Sequence, residues 1–112
     1  MTSLASRMFQ TWEFKVSHGQ LLIRSPRDTS YSTNVDLMFF GVEYMDLPRH
    51  LGQLEVQQPD ETDISFIRER LAKLDSSDSI FVLISGSRRY RVVAAAMKIA
   101  ENEREIFDTP FV

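Results

Sequence analysis

The sequence predicts an α+β domain, a mainly antiparallel sheet of about six strands with one helix packed on it, the sheet flat or curled into a half-open barrel. Three observations lead there. Val35 to Tyr44 reads V-D-L-M-F-F-G-V-E-Y, with Met38, Phe40, Val42 and Tyr44 on one face of an extended chain and Val35, Leu37 and Phe39 on the other, so neither face suits water. Ile80 to Ile84 is an unbroken apolar run of strand length. Between these two, Ile64, Ile67, Leu71 and Leu74 recur at helical spacing.

Each element has its own warrant. Met1 to Met8 is a polar lead-in. From Phe9 the pattern alternates, with Trp12, Phe14 and Val16 on one face and Thr11, Glu13, Lys15 and Ser17 on the other, the period of a half-buried strand. His18-Gly19 supplies a hairpin turn into Gln20 to Arg24, where Leu21 and Ile23 continue the apolar face. Ser25 to Asn34 is a loop by composition. Gly41 inside the central strand marks a bulge or a close backbone approach, and Leu47-Pro48 ends that strand. Leu54 and Val56 make a shorter edge strand.

Pro59 to Asp63 carries the acidic and hydroxyl residues of a helix start, which places the helix over about 62–75. Asp75 to Ser79 breaks it. Residues 88–105 read two ways: as a hairpin strand after Gly86, or as a helix over Ala94 to Glu105. Arg88, Arg89 and Arg91 would crowd the positive end of a helix dipole, which favours the strand. In that reading Glu101 to Arg104 turns and a last strand begins at Glu105. Trp12, Phe14, Phe39, Phe40, Ile67, Leu71, Phe81 and Leu83 are the expected core.

At 112 residues the chain is of one-domain length, and 1–112 is read as a single compact domain. Thirteen basic against 16 acidic side chains leave a net charge of -3, so no global positive field recruits a phosphate backbone, and nucleic acid is not expected as a partner. The absence of cysteine removes disulfides, thiolate metal sites and thiol nucleophiles. No apolar run approaches the ~20 residues of a membrane span, and the first ten residues lack a signal-peptide pattern. A soluble, cytoplasmic chain with no cofactor, no metal and no membrane partner is the expectation.

Candidate chemistry is sparse. His18 sits in a turn; His50 stands near Asp46 and Arg49 along the chain, where a small polar site is conceivable at that end of the central strand. Ser85-Gly86-Ser87-Arg88-Arg89-Tyr90-Arg91 follows a buried strand with small residues and three arginines, able to clamp a small anion if the guanidinium groups converge, or to protect a hairpin tip if they do not. Tyr31, beside Arg27 in the polar loop, is a candidate protein contact. No nucleophile elbow, phosphate loop or metal-ligand spacing is present. The reading that follows is a non-catalytic domain that binds a protein partner or associates with itself. Capture of an anion by Arg88, Arg89 and Arg91 is the alternative, and chemistry around Asp46 and His50 the second alternative.

Overall fold

The apolar runs do become strands, and backbone pairing sorts them into two antiparallel sheets. The computed structural model describes residues 4–105 and 107–111. In chain order the elements are β1 (Met8–Lys15), β2 (Gln20–Ser25), β3 (Asn34–Phe40), β4 (Tyr44–Met45), β5 (His50–Gly52), β6 (Leu54–Gln57), α1 (Glu61–Arg70), β7 (Ser79–Ser85), β8 (Arg88–Ala94) and β9 (Ala96–Asn102). One sheet has the order β5-β1-β2-β3-β9 and the other β4-β8-β7-β6. The described residues thus hold nine strands rather than about six, and the sheets do not close, so a two-layer stack replaces the half-open barrel.

The main core lies between the layers. Phe9, Leu21, Ile23, Leu37, Phe39 and Leu51 from the first sheet meet Leu54, Leu83, Val92 and Ala94 from the second. Of the expected core, Phe39, Ile67 and Leu83 are fully buried, whereas Trp12, Phe14, Phe40, Leu71 and Phe81 are half-buried.

The expected single strand from Val35 to Tyr44 is divided at Gly41, whose φ is +65°. Its dry character holds from Val35 to Phe39, Phe40 is half-buried, and Gly41 is exposed. Beyond the break the chain keeps the same neighbour. β3 pairs with β9 and β4 with β8, so residues 34–45 run against 92–102 while the ribbon crosses from one sheet to the other. Ala95 donates its N–H to Phe40 O at 2.9 Å, and Glu43 donates to Val93 O at 2.8 Å, which stitches the crossing. Residues 88–102 are therefore strand rather than helix, as two strands split at Ala95, and β9 runs through Glu101 and Asn102, where the expected turn over Glu101 to Arg104 does not form. No strand includes Glu105 or Phe107, and Ile106 lies outside the described residues, as do residues 1–3 of the lead-in.

Two local corrections have clear causes. In β1 the pairing shifts between Thr11, opposite Ile23, and Glu13, opposite Leu22, so Trp12 is an extra residue in a bulge. The bulge reverses the expected faces: Phe14 joins Phe9 toward the main core, Trp12 packs outside with Leu22, Met38, Phe40 and Phe111, and Val16 is 81% exposed. The helix ends at Arg70, short of Leu74, because its packing surface ends there: Ile67, Ile64, Phe66 and Leu71 cover Ile80, Val82 and Val93, while Leu74 is exposed. Among the described residues no helix is long and apolar enough to cross a membrane.

Gly41 and Gly86 give a paired test of the crossing. Both have positive φ, but a Cβ on Gly41 would stand 3.2 Å from Ala95 Cβ, whereas one on Gly86 meets nothing within 4 Å. Gly86→Ala should cost ~1 kcal/mol of left-handed strain alone, and Gly41→Ala ~2 kcal/mol because the crossing must also open. Urea denaturation midpoints of the two variants check the order.

Candidate functional site

The arginine-rich hairpin that draws attention in the sequence folds back onto the helix. Strand alternation sends Arg89 and Arg91 to the helix side of β8 and Arg88 to the other, where it is exposed. The two on the helix side converge on Asp63, which is fully buried. Arg89 donates from Nη2 to Oδ2 at 2.6 Å and from Nε to Oδ1 at 3.2 Å, and Arg91 donates from Nε to Oδ1 at 2.9 Å. Asp63 is also half of a capping box: its Oδ2 accepts from the Asp60 N–H, and its own N–H donates to Asp60 Oδ1. Arg91 and Arg70 further stack on the Phe66 ring at 4.0 and 3.5 Å.

Burial disfavours the charged form of Asp63, but hydrogen bonds from Arg89, the Asp60 N–H and Arg91 outweigh it and hold the carboxyl well below its usual range. The arginines that could clamp an anion are thus clamping a carboxylate of their own chain. Three guanidinium groups do not converge on solvent, since Arg88 lies on the opposite face.

A second buried ion pair was invisible in the sequence. Arg24 and Asp36 sit opposite each other on β2 and β3, both fully buried, joined from Nε to Oδ1 at 2.7 Å and from Nη2 to Oδ2 at 3.2 Å. Asn102 on β9 donates to Asp36 Oδ2 at 2.8 Å, and the Arg24 guanidinium lies 5.6 Å from the Trp12 ring centroid. No spacing rule could have found this pair, because cross-strand register brings it together.

The remaining candidates separate. Tyr31 is half-buried: its hydroxyl donates to Ser6 O at 2.8 Å and the Arg7 guanidinium covers its ring at 4.2 Å. Arg7 in turn donates to Ser25 Oγ, Ser25 O and Thr33 O, pinning both ends of the Ser25–Asn34 loop. Arg49 and His50 are exposed, and no hydrogen bond or ion pair links their side chains to Asp46 among the described residues. Nor do the described residues gather three or more metal-ligating side chains.

No protein-family model, curated protein or solved structure matches the chain.

What the fold leaves open is a strand edge. β9 is the outermost strand of its sheet and has seven residues, against three for β5 at the other edge. From Ala96 to Ala100 its backbone bonds β3 on one side and receives no backbone bond from another described residue on the other. Ile99, on the face shared with Met97, is 40% exposed. Unpaired N–H and C=O groups in a row are a template for another strand.

The Asp63 cluster sets a stability test. Asp63→Ala leaves Arg91 buried without its partner, an expected loss of about 3 kcal/mol, near the low end for a broken buried pair because Arg89 retains access to water. The folded-state value is depressed, so the contribution is complete above the ordinary carboxyl value of 3.8 and drains away as the pH falls below it. Wild type should lose its advantage over Asp63→Ala between neutral and strongly acid pH, read from denaturant midpoints across that range.

Proposed function

We propose that the chain is a non-catalytic interaction domain that assembles with a second copy of itself, strand β9 adding antiparallel to β9. The open edge from Ala96 to Ala100 carries the reading. A two-fold axis perpendicular to the sheet keeps side chains on their faces only when residues of equal parity stand opposite each other. Centred on Ile99, that register sets Ile99 against Ile99, Lys98 against Ala100 and Met97 against Glu101. The exposed isoleucine is covered, and the lysines are not directly opposed. Centring on Lys98 would set like charges face to face.

Supporting evidence comes from what the other charged groups are doing. Arg24, Asp36, Asp63, Arg89 and Arg91 are all held within the chain, which leaves the polar side chains near the hairpin and helix with structural partners rather than a substrate to meet. A single seven-residue strand contact falls below the ~1,200 Å² of stable interfaces, so association is weak and concentration-dependent.

Sedimentation equilibrium from micromolar to millimolar protein tests this. A monomer–dimer equilibrium is expected, abolished by Ile99→Lys, with a stability change within about 0.5 kcal/mol because Ile99 is not a core residue. Amide exchange at Ala96 to Ala100 should slow as concentration rises. A strict monomer at millimolar concentration refutes the reading.

A further inference from the structure

A different opening lies toward the other edge of the same sheet, beside the short β5. Gln10, Thr11, Trp12 and Glu13 of β1 line a groove with Arg49 and Phe107. Its volume is about 480 Å³, and small-molecule sites run from about 300 to 1,000 Å³. In a regular strand Trp12 and Glu13 would point to opposite faces, and the bulge at Trp12 lets both reach this groove.

Three of the lining groups have unmet chemistry. Glu13 Oε1 is shut away from water and has no hydrogen-bond donor. A buried oxygen without a donor is costly, and such an atom calls for a partner. Arg49 is exposed and forms no ion pair among the described residues. Phe107 holds its ring 92% exposed on the groove wall, opposite in character to the charges beside it. Trp12 is backed by the Arg24 guanidinium, which steadies the indole as a wall.

We propose that this groove binds a small amphoteric ligand with an aromatic body, the chemical class of free aromatic amino acids. Glu13 and Arg49 face one space with opposite charges and are not paired to each other, so a simple cation meets the repulsion of Arg49 and a simple anion that of Glu13. A ligand bearing both charges meets neither. Its ammonium N–H groups donate to the Glu13 carboxylate where that side chain lines the groove. Its carboxylate accepts from the Arg49 guanidinium, and its ring packs on Trp12 and Phe107.

Trp12 is the only tryptophan, so its emission reports the groove directly. Wild-type protein titrated with L-phenylalanine should show a saturable change in Trp12 fluorescence. Phenylacetate, which lacks the ammonium, and phenethylamine, which lacks the carboxylate, should each bind at least about tenfold more weakly. Glu13→Gln should reduce phenylalanine to the level of phenylacetate, Arg49→Gln to the level of phenethylamine, and Ile99→Lys should change neither. Equal binding of the three probes, or no saturable change with any of them, overturns the proposal, and the comparison of probes on wild type decides it even if a variant fails to fold.

Discussion

One bent ribbon organises this molecule. Residues 34–40 and 44–45 pair with 96–102 and 92–93, and the two segments change sheets together where Gly41 takes a left-handed conformation beside Ala95. Every other strand is placed by its attachment to that ribbon: β3 carries β2 and then β1 and β5, while β8 carries β7 and then β6. The bend brings the apolar faces of the two sheets together, so Leu37 and Phe39 meet Leu83, Val92 and Ala94. Phe39 and Phe81 touch edge to face across the gap, with ring centroids 5.6 Å apart. A straight ribbon would have made one long sheet with an apolar face open to water.

Both outer faces are closed by charges as well as by apolar contact. On the four-stranded sheet Asp63 ties α1 to Arg89 and Arg91, over the apolar patch of Ile67, Ile80, Val82 and Val93. On the five-stranded sheet Arg24, Asp36 and Asn102 form a buried network beside Leu22, Met38 and Phe111. Such groups lose hydration on burial, and the attraction between them roughly repays that loss, so their net stabilisation is small. Their consequence is selectivity. An apolar face accepts many apolar covers, whereas a buried carboxylate between two guanidinium groups loses its partners when the helix shifts, which favours the placement of α1 seen here.

How much of this was legible in the sequence follows from how local each cause is. The Gly86 turn, the run from Ile80 to Ile84, the capping residues at Asp60 and Asp63 and the strand character of 88–105 are set by neighbours in the chain, and patterns read them correctly. The bulge at Trp12 is not local: Glu13 lies opposite Leu22 only because β2 offers Leu21 to Phe14, and alternation counted along β1 alone puts Trp12 on the wrong face. Gly41 was recognisable as an irregularity, but the division of one strand into two depends on Ala95, far along the chain. Arg24 and Asp36 have no signal in the sequence that pairs them, since each is the one charged residue in a mainly apolar strand. They are buried because the chain beyond β9 returns over that face, bringing Phe111 against Leu22 and Met38. The sequence leaves the arginine tip without a named partner, because Asp63 is accounted for as part of a helix start, and one carboxylate serves both purposes.

The two open surfaces follow from the same accounting of edges and partners. In the four-stranded sheet the edge strands β4 and β6 have two and four residues, and α1 covers the outer face, so little backbone is left to offer. In the five-stranded sheet β5 has three residues and pairs only with Met8 to Gln10, which leaves the bulged half of β1 to border the groove, while β9 borders solvent on the far side. The groove and the edge are joined by a line of contacts, from Trp12 to Arg24, to Asp36, and to Asn102 at the end of β9. Coupling between sites requires an element with two arrangements for a ligand to choose between. Along this line the structure holds one arrangement, a fully buried bidentate ion pair between β2 and β3. If both proposals hold, a ligand in the groove and a strand on β9 would bind independently, with the sheet a spacer between the two proposed surfaces.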